Sequence, residues 1–175
     1  MAADDDGSEG PDASPARLTI IVDGANVVGS RPDGWWHDRA GAAVRLYEDL
    51  RRLVVRGVTV SDDARGAGRA GGPGDGGGPG GATAPGGARQ VAEVVLVLEG
   101  AARAAVPRIA ARTRAAAGGP VRVVSAPGSG DDEIVRLVRS LPGRRIVVTA
   151  DRELRRRCEA AGAEVTSPSW LYGQL

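Results

Sequence analysis

The sequence predicts an α/β protein with a mostly parallel sheet of about five strands and helices on both of its faces. Short runs rich in Val, Ile and Leu recur along the 175-residue chain, and their length and composition are typical of buried strands. Segments with apolar residues at helical spacing separate these runs, and strands that alternate with helices form parallel sheets with right-handed crossovers. Acidic residues follow most of the runs, which places polar chemistry at one edge of the sheet.

The first strand is predicted over Leu18 to Asp23, where an apolar run meets an acid and a glycine, and Asn26 follows closely. A carboxylate at the end of a central parallel strand lies at the edge where open α/β sheets bind their ligands. The alternative is a local role, in which Asp23 accepts hydrogen bonds from nearby backbone N–H groups in an Asx-turn or helix cap. This stretch alone leaves both roles open, and the repetition of the pattern later in the chain favours a ligand site.

A long helix is predicted to follow, with Asp38 as its N-cap and Gly57 as its stop. Its apolar face consists of Ala43, Leu46, Tyr47, Leu50, Leu53 and Val54. Residues 58–60 fit either a short strand or a frayed helix end.

Two segments are predicted to be disordered, namely the acidic tail 1–16 and the Gly-rich insertion 62–90. Neither segment can bury enough apolar surface to offset the entropy that ordering would cost. The remaining residues between 17 and 175 are therefore expected to form one domain, interrupted by the insertion.

Four further strands are predicted after the insertion. They are Val94–Leu98, Val121–Val124, Arg145–Thr149 and Ala163–Thr166. One helix is expected between each pair of successive strands. The first of these helices runs from Pro107 to Ala117, the second has Ile134, Leu137, Val138 and Leu141 on its apolar face, and the third has Leu154 and Cys158.

Acidic residues follow four of the predicted strands, namely Asp23, Glu99, the pair Asp131 and Asp132, and Asp151. The carboxyl ends of parallel strands share one edge of the sheet, so we expect these carboxylates to converge. Like charges that converge in water-poor surroundings raise one another's pKa and oppose ionisation. A divalent cation relieves this repulsion, and Mg²⁺ and Mn²⁺ prefer carboxylate and phosphate oxygens. The pattern therefore predicts a Mg²⁺ or Mn²⁺ site that hydrolyses phosphodiester bonds.

Composition argues against several other classes of protein. A single Cys and a single His do not make a zinc site, and a chain without lysine has neither a P-loop nor the lysine of a receiver-like pocket. Ser129 has no His partner for a hydrolase triad, and Asp131 and Asp132 stand where a dinucleotide pyrophosphate would approach Gly128 to Gly130. No signal peptide or membrane span is predicted, and we expect a soluble, cytoplasmic protein.

Three stretches resemble the signature motifs of the NYN domain and occur in that family's order: Ile21–Val27, Gly128–Ile134 and Val148–Glu153. The similarity extends from about Leu18 to Thr166, apart from the insertion, and is greatest to the YacP-like branch of the PIN-like ribonucleases. It implies a three-layer α/β/α PIN-like (Rossmann-like) fold and a metal-dependent endoribonuclease activity.

The resemblance also implies roles for individual residues. Asp23, Asp131 or Asp132, and Asp151 would be the acids of the metal site and form the catalytic set together with Asn26, which lies beside the metal. Thr149 would support the metal-site acids without binding the metal itself. Glu99 stands where we expect an aspartate in the YacP-like pattern, and we assign it a supporting role as well.

Residues near the expected mouth of the site are candidates for RNA contacts. Trp35 and Trp36 offer stacking surfaces, and Arg152 and Arg155 can bind phosphates next to Asp151. The alternatives are that a Trp packs on the sheet edge and that the Arg residues are solvated helix-face charges. His37 is expected to be a bystander rather than a proton shuttle.

The sequence thus predicts a Mg²⁺- or Mn²⁺-dependent endoribonuclease that acts on single-stranded RNA, with the ribosome as one candidate for presenting it. The alternative is a non-catalytic RNA-binding or scaffold protein with the same fold. Retention of three acids together with Asn26 favours the enzyme. The RNA target and the oligomeric state are not predicted.

Overall fold

A computed structural model describes residues 17–60, 89–90, 92–115 and 121–175. The predicted tail at 1–16 lies outside the described residues, as do positions 62–88 of the predicted insertion. The end of the predicted helix at residues 116 and 117 also falls outside them. The predictions for these segments stay predictions.

The described residues contain seven strands in two sheets. The strands are β1 (Leu18–Asp23), β2 (Val58–Thr59), β3 (Arg89–Gln90), β4 (Ala92–Leu98), β5 (Val121–Ser125), β6 (Arg144–Val148) and β7 (Glu164–Thr166). Five of them form a sheet in the order β5-β4-β1-β6-β7, in which every neighbouring pair is parallel. The predicted sheet of about five mostly parallel strands is confirmed.

Six α-helices and one 3₁₀ helix surround this sheet within the described ranges. The α-helices are α1 (Gly24–Gly29), α2 (Arg39–Arg56), α3 (Val106–Ala115), α4 (Gly130–Ser140), α5 (Arg152–Ala160) and α6 (Pro168–Gln174), and the 3₁₀ helix is Gly100–Ala105. The sequence predicted α2, α3, α4 and α5. It did not predict α1, the 3₁₀ helix or α6.

The core lies on both faces of the sheet, as a three-layer α/β/α fold requires. All six residues of β1 are buried, and their side chains alternate between the two faces. Ile20 and Val22 pack in a cluster with residues of α2 and α6, whereas Ile21 packs with residues of α4 and α5. The continuous apolar run of β1 thus reflects burial on both faces of a parallel sheet.

Helix α2 forms where the sequence predicted it. The side chain of Asp38 caps its start by accepting a hydrogen bond from the Gly41 N–H (2.7 Å), and the helix ends before Gly57, which has a positive φ. Every residue of the predicted apolar face is buried. None of the helices in the described ranges combines the length and the hydropathy that a membrane crossing requires.

The small second sheet differs from expectation at one end of the predicted insertion. Arg89 and Gln90 form β3, and Gln90 pairs antiparallel with Val58 of β2. Residues 58–60 therefore include a short strand rather than a frayed helix end. This pairing joins residues about thirty positions apart in sequence, so local sequence patterns do not predict it.

The strand order places a crevice beside β1. From β1 the chain moves outward through β4 to β5, then crosses back to β6 and β7 on the other side. Strand order therefore reverses between β1 and β6, and open α/β sheets bind ligands outside the carboxyl ends of strands at such a switch point. Asp23 ends β1, and Thr149 and Asp151 follow β6 directly.

Candidate active site

Asp23 is the one charged residue with a buried side chain in the described part of the chain, at 6% exposure. Its Oδ1 accepts a hydrogen bond from the backbone N–H of Asn26 (3.1 Å), and its Oδ2 accepts one from the hydroxyl of Thr149 (2.9 Å). Asp23 therefore does cap α1. A carboxylate has about four lone-pair sites, so two hydrogen bonds leave acceptor capacity on both oxygens.

The pKa of Asp23 is raised from its ordinary value. Burial is the main cause, and the nearby charge of Glu99 adds to it. The hydrogen bonds from Asn26 and Thr149 oppose the change because they stabilise the ionised form. Burial thus makes the ionised form of Asp23 more costly in the folded protein than in the unfolded chain, and a bound cation would offset that cost.

Thr149 links the ends of β1 and β6. Its side chain is fully buried, and its hydroxyl oxygen accepts a hydrogen bond from the backbone N–H of Asp151 (3.1 Å) while the hydroxyl donates to Asp23. The Oδ1 of Asp151 accepts from the N–H of Leu154 (2.7 Å) and so caps α5. This chain of hydrogen bonds fixes the two acids on either side of the switch point.

Asp131 lies in the first turn of α4 and is partly buried. Its pKa is raised first by burial and then by the negative charges of Asp23, Asp151 and Glu99, whereas the charge of Arg157 lowers it. The four carboxylates therefore share one electrostatic neighbourhood at the carboxyl edge of the sheet. We refer to Asp23, Glu99, Asp131 and Asp151 as the acid cluster.

Asp132, the neighbour of Asp131, points elsewhere. Its side chain is 73% exposed and forms an ion pair with Arg157 of α5. Adjacent helix residues project about 100° apart, so only one of the two acids can face the crevice. The structure brings Asp131 to the acid cluster and leaves Asp132 on the outer surface.

Glu99 connects the end of β4 to the start of α4. Its Oε2 accepts a hydrogen bond from the N–H of Gly130 (2.6 Å), the first residue of α4. A Cβ on Gly130 would lie 2.8 Å from the same oxygen, so a larger residue there would displace the Glu99 carboxylate. Glu99 thereby fixes the helix turn that carries Asp131.

The donor set of the acid cluster fits a hard divalent cation, because it consists of carboxylates whose mutual repulsion such a cation would relieve. The described part of the chain contains no group of three or more His, Cys, Asp or Glu side chains positioned to hold a metal ion. In the described conformation the acid cluster is therefore a set of neighbouring carboxylates rather than a preformed metal cage.

The other predicted site residues lie around this edge. Asn26 is in α1 and partly exposed, and its backbone N–H is the one bonded to Asp23. Arg152 is exposed and Arg155 partly exposed, both near the start of α5 behind Asp151.

The two tryptophans differ in their surroundings. Trp35 is partly buried and lines a cavity of about 170 Å³ beside Gly24. Trp36 is 53% exposed, and its ring meets that of Trp35 edge-on with centroids 6.2 Å apart. His37 is exposed next to Trp36, with ring centroids 5.4 Å apart.

Arg103 is a residue that the sequence did not single out. Its guanidinium donates to the carbonyl oxygens of Gly100 (3.3 Å) and Ala126 (3.2 Å). These bonds join the 3₁₀ helix to the loop that precedes α4, and so support the segment that positions Asp131. An isolated arginine in an alanine-rich segment was the available signal, and it does not indicate a partner 23 residues away.

Asp131→Asn is expected to stabilise the metal-free protein at pH 7. The folded-state pKa of Asp131 is raised above its unfolded value of 3.8, so its protonated form contributes stability that is complete only below the unfolded pKa and is lost as pH rises through the folded pKa. After allowance for solvent screening we expect about 1 kcal/mol or less, which corresponds to about 2–4 °C in melting temperature.

Thermal melts in EDTA from pH 3 to pH 7 measure this effect, and the gap between variant and wild type should narrow as pH falls and close below the unfolded pKa of 3.8. Asp132→Asn is the matched control, because it removes a charge from the same helix turn. It loses the favourable helix-dipole interaction of about 0.3–1 kcal/mol and the Arg157 ion pair, and should melt at or below wild type. A pH-independent loss of stability in Asp131→Asn would contradict the convergence of the acids.

No protein-family model matches the chain, and no curated protein matches it. Among solved structures, the fold is similar to the crystal structure of a mutant of Rae1 (YacP) from Bacillus subtilis, with a TM-score of 0.52 and 15% sequence identity. The match covers 89% of this chain and 74% of that one. At this identity the likeness concerns the fold alone, and the chain has a YacP-like α/β fold.

Proposed function

We propose that the protein is a divalent-metal-dependent endoribonuclease that hydrolyses RNA phosphodiester bonds at the acid cluster. The observation that carries this proposal is the set of carboxylates at the switch point of the sheet. Burial and the charge of Glu99 raise the pKa of Asp23, and burial with the charges of Asp23, Asp151 and Glu99 raises the pKa of Asp131. The resemblance of the three sequence motifs to the NYN domain and the YacP-like fold support the same function.

In this proposal Asp23, Asp131 and Asp151 hold Mg²⁺ or Mn²⁺, with Asn26 beside it. A cation held there would supply Lewis-acid chemistry, which would lower the pKa of a bound water and stabilise charge on the leaving oxygen. Asp131 has this role rather than Asp132, because Asp132 is exposed and paired with Arg157.

The protein's own residues prepare this site. Thr149 donates a hydrogen bond to Asp23, which favours the ionised carboxylate and fixes its orientation. Glu99 holds the first turn of α4 in place through Gly130 and so positions Asp131.

An acid cluster repels the phosphates of RNA, so the substrate needs cationic partners nearby. Arg152 and Arg155 are proposed to bind phosphates on either side of the reacting one, since both lie at the start of α5 next to Asp151. Guanidinium groups bind phosphate oxygens in a bidentate manner and keep their charge at all working pH values. If Arg152 and Arg155 are instead solvated surface charges, substituting them should leave the affinity for RNA unchanged.

The proposed substrate is single-stranded RNA, because unpaired bases can stack on aromatic side chains such as Trp35 and Trp36. The proposed compartment is the cytoplasm. RNA presented by the ribosome is the proposed form of this substrate in the cell, following the similarity to the YacP-like branch.

A cleavage assay with a 5′-labelled single-stranded RNA tests the proposed function. The wild-type protein should cleave the RNA with Mn²⁺ or Mg²⁺ and not with EDTA. Equal, trace-level cleavage with the metal and with EDTA would overturn the proposed enzyme activity. RNA binding without cleavage would then favour the alternative of a non-catalytic RNA-binding or scaffold protein.

A further inference from the structure

A cavity of about 170 Å³ opens beside the acid cluster, and the proposed chemistry does not use it. Its walls come from both ends of α1, the start of α2 and the first residues of the 3₁₀ helix. Gly24, Trp35, Arg39, Glu99 and Ala101 are among the residues that line it.

The cavity borders the candidate active site, because Glu99 of the acid cluster forms part of its lining. Gly24 directly follows Asp23, and Glu99 belongs to the acid cluster and holds the helix turn of Asp131. A polymer whose backbone lies over the acids would therefore have its next group within reach of this opening.

The lining suits a flat, aromatic and polar-edged group. Most of the lining side chains are apolar, and Trp35 supplies an aromatic ring with the guanidinium of Arg39 5.4 Å from its centroid. Arg39 offers hydrogen-bond donors, and Glu99 offers a carboxylate acceptor. Pockets for drug-sized ligands measure about 300–1,000 Å³, so this smaller cavity suits one ring system rather than a whole nucleotide.

We propose that the cavity binds one unstacked nucleobase of the RNA, next to the phosphodiester that lies over the acid cluster. Base binding here rests on the proposed function, because an RNA strand at the acids is what brings a base to the opening. Trp35 provides the stacking surface, and Arg39 and Glu99 contact the edge of the base. A single stacked base contributes enough affinity that its loss should weaken RNA binding about tenfold.

The test compares two substitutions on the same 3₁₀ helix. Ala101 and Ala104 are both exposed, but only Ala101 lines the cavity. Ala101→Phe should fill the cavity and raise the protein concentration for half-maximal single-turnover cleavage of a labelled RNA in Mn²⁺ about tenfold. Ala104→Phe should stay within about twofold of wild type.

A set of single-stranded RNAs, each with one abasic nucleotide, provides a readout that needs no variant. Wild type should lose about tenfold in apparent affinity when the abasic position is at one fixed distance from the cut. Ala101→Phe should be insensitive to the abasic substitution at that position.

The outcomes separate the two proposals. In one outcome, wild type cleaves RNA, no abasic position weakens cleavage, and Ala101→Phe and Ala104→Phe behave alike. This result would overturn the base pocket but not the proposed nuclease activity. Failure of wild type both to bind and to cleave RNA would overturn both. Base binding is supported if wild type is sensitive to an abasic nucleotide at a single position, and if Ala101→Phe loses this sensitivity while Ala104→Phe keeps it.

Discussion

Replacing Asp131 by Asn is expected to lower the rate of Mn²⁺-dependent RNA cleavage by about 100- to 1,000-fold, the range typical for loss of one group that stabilises transition-state charge. Asp131 shares its electrostatic neighbourhood with Asp23 and Asp151, so removal of its charge weakens the proposed cation site directly. Single-turnover cleavage of a labelled RNA at saturating protein measures the rate. Asp23→Asn and Asp151→Asn should also lower it, but each of these acids caps a helix as well.

The adjacent acid gives this prediction its control. Asp132→Asn removes the same charge one residue away, where the side chain is exposed and paired with Arg157. Its rate should stay within about threefold of wild type, since surface ion pairs contribute little. Equal losses in both variants, or a large loss in Asp132→Asn alone, would contradict the assignment of Asp131 to the cation site. Thermal melts of both proteins establish that each is folded.

Gly24→Ala is expected to destabilise the fold by about 1–3 kcal/mol, the usual range for overpacking. A Cβ at this position would lie 2.6 Å from the backbone carbonyl oxygen of Val97 and 3.0 Å from the Leu98 side chain. The Val97 carbonyl cannot move freely, because Val97 pairs with Asp23 in the β1–β4 ladder. The new methyl group therefore displaces either that ladder or the turn that carries Asp23.

Urea unfolding measures this loss, with Gly173→Ala as the matched glycine control. A Cβ on Gly173 meets nothing within 4 Å, and alanine is the better helix former, so this variant should be as stable as wild type or slightly more. An unfolding free energy of Gly24→Ala equal to that of wild type would show that β1 and β4 are not packed as closely as described.

Local sequence patterns were sufficient for the elements that carry their own signals. Helix α2 has a capping aspartate, an apolar face at helical spacing and a terminal glycine, and β1 is an uninterrupted apolar run. Helix α1 has a capping aspartate in Asp23, but it is only six residues long and contains two glycines. It forms because Asp23 caps it locally and because Val27 is buried in the core, and the burial of Val27 depends on tertiary packing.

The candidate site was predictable in part for the same reason. Acids at the ends of parallel strands must share an edge, so the sequence predicted that Asp23, Glu99, Asp131 and Asp151 lie near one another without showing their contacts, and their role in a metal site stays a prediction. The orientation of Asp131 relative to Asp132 depends on the rotation of α4 against the sheet. The hydrogen bond from Gly130 to Glu99 spans 31 residues, and the cavity at Trp35 depends on how α2 packs. Such features follow from packing rather than from local sequence.

Titration of the metal-free protein with Mn²⁺ in a calorimeter tests most directly whether the acids form one cation site. Wild type and Asp132→Asn should bind Mn²⁺ with similar affinity, and Asp131→Asn should bind it at least about tenfold more weakly, since one tenfold step corresponds to the loss of about 1.4 kcal/mol. Absence of Mn²⁺ binding in wild type, or equal affinities in all three proteins, would contradict a cation site at Asp23, Asp131 and Asp151.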